Sequence, residues 1–156
     1  MIYLLLLLLI TIFFQDFKER KVSLWIFPSV ILLSGYLYYK QTFLQLYAYN
    51  IGINLTTLVL LFLIVFLYTK FKLKQTFFSA MGLGDILFFV VFAVGFPTPT
   101  FLVLFSCSLI FALLVFLVLK NNLKHSTVPL AGLQALFLCL ILFLNLAFKI
   151  VNLYAI

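Results

Sequence analysis

The sequence predicts an all-α polytopic membrane protein that forms one domain over residues 1–156, and three observations predict it. Hydrophobic residues make up 67% of the chain and charged residues 8%, whereas a soluble domain is about 45–50% apolar and about 25% charged. The hydrophobic residues lie in long runs separated by polar or basic breaks. At about 20 residues per crossing, the 156 residues admit about six transmembrane helices and leave almost no chain for a soluble domain.

The apolar runs define the predicted helices in chain order. They cover residues 2–14, 23–39, 43–68, 86–96, 100–119 and 128–151. The first run is not typical of a signal peptide, because no basic residue precedes it and no small-residue cleavage pattern follows it. As helices, runs 2–14 and 86–96 reach only about 20 Å, less than the roughly 30 Å of a hydrocarbon core. They cross a membrane only if Asp16 and Asp85, which adjoin them, are drawn towards or into it.

The basic residues predict the orientation. Six crossings place loops 15–22, 69–85 and 120–127 on one side, together with eight of the ten Lys and Arg residues. The eight are Lys18, Arg20, Lys21, Lys70, Lys72, Lys74, Lys120 and Lys124. The positive-inside rule makes that side cytoplasmic and puts both chain termini outside. Orientation in the bilayer therefore explains the net charge of +7 better than nucleic-acid binding does, and the loop lysines are expected to contact anionic lipids.

The acidic residues Asp16, Glu19 and Asp85 all fall on the predicted cytoplasmic side. Acids at membrane depth are costly and rare, so Asp16 and Asp85 are candidate functional residues. Each has a structural alternative. Asp85 could cap the helix that follows it, and Asp16 could be a boundary charge paired with a basic neighbour such as Lys18. Glu19 lies one helical turn from Asp16 among basic residues, so it is expected to be a solvated charge.

The predicted topology brings Asp16 and Asp85 to the same face at a similar depth. Two close carboxylates can share a proton, so that one acts as a base towards water and the other as an acid towards a carbonyl oxygen. This is aspartic protease chemistry. Gly82 and Gly84, just before Asp85, allow the backbone to unwind and another chain to approach closely. With Asp16 at a helix C-terminus and Asp85 at a helix N-terminus, we expect Asp85 to be the base and Asp16 the protonated partner.

Three motifs, in this order along the chain, resemble those of the type IV prepilin peptidases, which are G-x-G-D intramembrane aspartic proteases. They are Asp16-Phe17-Lys18-Glu19-Arg20-Lys21-Val22, Gly82-Leu83-Gly84-Asp85 and Val128-Pro129-Leu130-Ala131-Gly132. The resemblance in order and spacing covers nearly the whole chain. Three places differ: Ser23-Leu24 stands where the family usually has Pro-Asn, Ile86-Leu87 replaces Val-Lys, and Gly132 replaces a second proline.

The resemblance implies a stand-alone peptidase core in a prokaryotic cytoplasmic (inner) membrane. It assigns Asp16 and Asp85 as the catalytic pair, Gly82 and Gly84 as motif glycines, and Pro129 as the proline that opens the last span. The implied substrate is a prepilin or pseudopilin precursor with a short basic leader, a glycine before the cut and a hydrophobic helix after it. The four-cysteine domain that accompanies N-methylation in bifunctional members is not found in this sequence, so methyltransferase activity is not implied.

Other chemistries lack their motifs. Cys107 and Cys139 lie in apolar runs without a C-x-x-C pair, and His125 is the single histidine, so neither a metal site nor another cofactor is expected. The sequence contains no G-x-S-x-G and no H-E-x-x-H. Two alternatives to a protease stay open: a small proton-coupled transporter that uses one buried acid, and a catalytically silent scaffold.

Overall fold

The computed structural model of the chain describes residues 1–19, 22–74, 81–119, 129–149 and 152–154. All regular structure within these ranges is helical. The α-helices are α1 (Ile2–Glu19), α2 (Ile26–Tyr39), α3 (Leu44–Tyr68), α4 (Leu83–Gly95), α5 (Thr98–Leu119) and α6 (Leu130–Phe148). A π-helical turn over Thr69–Leu73 continues α3. The all-helical class predicted from the sequence is therefore confirmed for the described residues.

Among the residues that the structure describes, three helices are long and apolar enough to cross a membrane. They are α5, α6, and α3 together with part of its π-helical turn (Leu44–Lys72), whereas α2 and α4 are shorter apolar helices. Large apolar side chains cover the outside of the bundle, among them Leu32, Ile64 and Val118, which are more than half exposed. Hydrocarbon is the solvent that suits such a surface, because contiguous apolar patches of this extent are rare on soluble monomers.

The helices differ from the predicted apolar runs mainly at one place. α1 continues past residue 14, through Asp16, to Glu19. Gln15, Lys18 and Glu19 are good helix formers, so polarity does not end the helix there. The predicted loops are partly outside the described residues, which leave out Arg20, Lys21, residues 75–80, and residues 120–128 with Lys120, Lys124, His125 and Val128.

The central helix of the bundle is α4. It packs against α2, α3, α5 and α6, whereas α1 packs against α2 and α6. The ring of Phe89 on α4 stacks on Phe62 of α3 at 5.9 Å and meets Phe105 of α5 edge to face at 4.8 Å between centroids. Because protein surrounds α4, its 13 residues, about 20 Å in length, need not match the thickness of the lipid.

Asn54 of α3 closes the C-terminal end of α4. Its fully buried side chain donates through Nδ2 to the carbonyl oxygens of Ala93 and Phe96, both at 2.9 Å. Carbonyl groups in the last turn of a helix have no partner within that helix, and Pro97, which follows, has no N–H to offer. The two hydrogen bonds therefore fix α4 against α3 at the end opposite Asp85.

Candidate active site

Asp16 points into the bundle because it continues the buried stripe of α1. Leu5, Leu9 and Ile12 are buried at spacings of four and three residues, and Asp16 follows four residues later with 9% of its surface exposed. This spacing keeps side chains on one face of a helix. The carboxylate Oδ2 of Asp16 accepts a hydrogen bond of 2.7 Å from the backbone N–H of Gly132 on α6. Asp16 is therefore an interior group that joins α1 to α6.

Asp85 lies in the first turn of α4, two residues after the helix begins at Leu83. Its Oδ2 accepts from the N–H of Gly82, the residue that caps α4, at 3.3 Å. Its Oδ1 accepts from the N–H of Ala131 on α6 at 2.9 Å. The capping alternative holds in part, since the carboxylate reaches back to the cap residue. The same carboxylate also joins α4 to α6.

The N-terminus of α6 brings the two aspartates together. Pro129, which is buried, caps the helix, and its carbonyl accepts the N–H of Leu133 at 3.0 Å. The first N–H groups of a helix have no acceptor within it. Two of these groups, on the successive residues Ala131 and Gly132, donate to the two different carboxylates. The positive end of the helix dipole at this position also favours negative charge.

Gly132 lets Asp16 approach the backbone of α6. A Cβ atom on residue 132 would lie 2.9 Å from the Cβ of Asp16 and 3.0 Å from its Oδ2. The nearer of these atoms is next to the main chain of α1, so a side chain at position 132 would push the helices apart. Sequence reasoning missed this role and noted Gly132 only as a departure from the family pattern. The sequence feature that could have indicated this role is a glycine in the first turn of a helix that begins directly after a proline.

Gly82 and Gly84 lie where α4 begins. Gly82 has an extended backbone and caps the helix, which starts at Leu83, and neither glycine has a positive φ. A Cβ on Gly82 would lie 3.3 Å from Asp85 Oδ2, so the glycine keeps the cap close to the carboxylate. A Cβ on Gly84 would meet Phe27 at 3.5 Å, which is ordinary van der Waals contact.

The helix-end argument for the roles of the two acids rests on a wrong premise. It required α1 to end at Asp16, but α1 continues to Glu19. Both carboxylates instead accept backbone N–H groups from the same end of α6, so this contact favours the charge of both. They repel each other when both are ionised, and a single proton held between them relieves that repulsion. The pair can therefore supply one base and one acid, whichever residue holds the proton.

Ser23, between α1 and α2, stands where the type IV prepilin peptidases that the sequence resembles usually have proline. Ser23 donates its backbone N–H to Gln15 Oε1 at 3.0 Å. A proline at this position would have no N–H to donate. Glu19, beside the turn, is exposed, in agreement with its expected role as a solvated charge.

Within the part of the chain that the structure describes, no three His, Cys, Asp or Glu side chains are grouped as a metal ion would require. Cys107 and Cys139 are both free thiols. Comparison of the chain with protein-family models, with curated proteins and with solved structures found no match.

Proposed function

We propose that this chain is an intramembrane aspartic endopeptidase. The observation that carries the proposal is the pair of hydrogen bonds from successive amides, Gly132 to Asp16 and Ala131 to Asp85, which hold both carboxylates at one helix end. Acidic side chains are rare inside membrane proteins, and a structural role for each would not require that they meet. Two interacting carboxylates are the group that an aspartic protease uses.

In the proposed mechanism the ionised carboxylate takes a proton from a water molecule as the water attacks the scissile carbonyl carbon. The protonated carboxylate donates its proton to the carbonyl oxygen, and a tetrahedral intermediate forms. Collapse of the intermediate breaks the C–N bond as the carboxylate that took a proton from water gives it to the leaving nitrogen, and a hydroxyl group of the intermediate returns its proton to the other carboxylate. Asp85 is only partly buried, so it is the carboxylate that water reaches more easily. The amides of Ala131 and Gly132 hold both groups in place before the substrate arrives.

The proposed topology has six crossings with the aspartates at the cytoplasmic face. The hydrogen bonds join the C-terminal part of α1 to the N-terminal ends of α4 and α6, and six alternating crossings put these three ends on one side. Lys18, Lys70, Lys72 and Lys74 belong to the same side and are exposed, which suits contact with anionic lipid on a cytoplasmic leaflet.

The proposed substrate follows from the resemblance to type IV prepilin peptidases. It is a prepilin-like precursor, of a pilin, pseudopilin or related protein, in a prokaryotic cytoplasmic membrane. A short basic leader on the cytoplasmic side would be cut from the hydrophobic helix that follows it. A site at the cytoplasmic end of the bundle suits this substrate, since the leader stays in the cytoplasm while the helix lies in the lipid.

The proposal is tested by co-expressing the chain with such a precursor and comparing three variants by immunoblot. We expect Asp16→Asn and Asp85→Asn each to abolish cleavage, because either change removes one of the two proton carriers. Glu19→Gln is the matched control, since it removes an exposed acid one turn from Asp16, and it should cleave like the wild type.

Equal amounts of all variants in the membrane fraction are required for this comparison. Cleavage that survives Asp16→Asn or Asp85→Asn would contradict the two-aspartate mechanism. The transporter hypothesis would be favoured by a transport activity that requires only one of the two acids and depends on the membrane potential.

A further inference from the structure

The lipid-facing helices of the bundle differ greatly in length. α2 has 14 residues, which correspond to about 21 Å. α5 has 22 residues, which correspond to about 33 Å. Both helices pack on the central α4 and each also touches α3, but α2 lies beside α1 and α5 beside α6, so they occupy different parts of the perimeter. One bilayer of uniform thickness cannot match both.

The short length of α2 is set by the residues at its two ends. Trp25 precedes the helix with 86% of its surface exposed, and Lys40, Gln41 and Thr42 follow it. Tryptophan prefers the interface between lipid and water, and lysine places its charge outside the hydrocarbon. The amino group of Lys40 lies over the ring of Tyr36, 5.6 Å from its centroid. Trp25 and Lys40 therefore mark the two ends of the apolar part of α2, and the distance between them is below the roughly 30 Å of a typical hydrocarbon core.

One stripe of side chains between Trp25 and Lys40 is exposed on the outside of the bundle. Leu32, Tyr36 and Tyr39 are exposed at spacings of four and three residues along α2, which makes one outward stripe of the helix. This stripe distinguishes α2 from α4, which is also short but is enclosed by other helices. The bilayer beside α2 therefore has to adapt its thickness to the length of this helix.

The long exposed face of α5 has no tryptophan and no charged residue within the helix. It contains no charged residue between Thr98 and Leu119, and its exposed apolar residues run from Leu102 to Val118. Tilting does not remove the difference, because a typical tilt of about 20° shortens the depth that a helix covers by only about 6%. The perimeter of the bundle thus has a thin side at α2 and a thick side at α5.

We propose that the α2 side is a lipid-binding surface that selects short acyl chains and thins the bilayer locally by up to about 9 Å. A shorter hydrophobic segment is accommodated by thinning of the surrounding lipid, at a cost that rises with the mismatch. The partner of this surface is phospholipid whose hydrocarbon layer is thinner than that of a dioleoyl bilayer. This inference does not rest on the proposed peptidase activity, but it rests on the proposed topology, in which α2 crosses the membrane.

Trp25 makes the proposal testable, because it is the single tryptophan of the chain and lies at one end of α2. The protein is reconstituted in vesicles of dimyristoleoyl, dioleoyl or dierucoyl phosphatidylcholine, each mixed with a brominated phosphatidylcholine that quenches tryptophan fluorescence. The degree of quenching gives the relative affinity of the lipid beside Trp25. We expect dimyristoleoyl chains to be favoured over dioleoyl chains by about fivefold.

The matched control moves the probe to the long face. The double variant Trp25→Phe, Val118→Trp places the tryptophan on α5, at an exposed position on the side of the membrane that the proposed topology assigns to Trp25. For this variant we expect dioleoyl or dierucoyl chains to be favoured. A preference for dioleoyl or longer chains at Trp25, or the same order of preference at both probes, would overturn the proposal.

Discussion

Asp16 and Gly132 touch through atoms close to their backbones, so the distance between α1 and α6 depends on the lack of a side chain at position 132. The hydrogen bond of 2.7 Å from the Gly132 N–H to Asp16 exists only at this close approach. Gly84, by contrast, lies at ordinary contact distance from Phe27 and Ala131. The two glycines are therefore expected to respond differently to the same substitution.

Gly132→Ala is predicted to reduce cleavage of the precursor by about 100-fold, the loss that a misplacement of about 1 Å can cause. Alanine is a better helix former than glycine, so the loss cannot come from α6 itself and must come from displacement of Asp16. Gly84→Ala is the matched control and should retain most of the activity. The rate of cleavage by purified protein in detergent measures both. Full activity of Gly132→Ala would show that the contact with Asp16 does not matter.

At the scale of the helix, Asn54 fixes the end of α4 that lies opposite Asp85. Asn54→Leu would leave the carbonyl groups of Ala93 and Phe96 buried without these donors, at a cost of about 1–3 kcal/mol for each unsatisfied group. We expect a clear fall in the midpoint of thermal unfolding in detergent. Cleavage should fall as well, because α4 carries Asp85 and would lose its fixed position.

Thr57→Val is the control for Asn54→Leu. The hydroxyl of Thr57 donates to the carbonyl of Ile53 at 2.9 Å, within α3 itself, so its removal should change neither the unfolding midpoint nor cleavage appreciably. An unchanged midpoint for Asn54→Leu would show that the hydrogen bonds to Ala93 and Phe96 do not hold α4.

At the scale of the whole molecule, the helical class predicted from the sequence is confirmed for the described residues. Hydrogen bonds bring the two aspartates to one end of α6, whereas the side of the membrane on which they lie stays a prediction. Long apolar runs determine helices in lipid, and the basic residues between them suffice to predict a side for each loop. The resemblance to the prepilin peptidases implied that Pro129 opens the last span, and Pro129 is the residue that caps α6.

The rest depended on contacts between distant segments. The bonds from Ala131 and Gly132 join residues that are 46 and 116 positions apart from their acceptors, and no local pattern determines such pairings. The extent of α1 was misjudged because a polar stretch was expected to end a helix, although Gln15 and Glu19 favour helical structure. The donation from Asn54 to α4 was missed because an asparagine within an apolar run gives no indication of its partner.

The central claim is that the carboxylates of Asp16 and Asp85 meet at the start of α6, and cysteine cross-linking in native membranes tests it most directly. Cys107 and Cys139 are first replaced by alanine. The pair Asp16→Cys with Asp85→Cys is then treated with a short bifunctional methanethiosulfonate. We predict an intramolecular cross-link for this pair and none for Glu19→Cys with Asp85→Cys, because Glu19 is exposed. A cross-link with position 19 but not with position 16 would contradict the account.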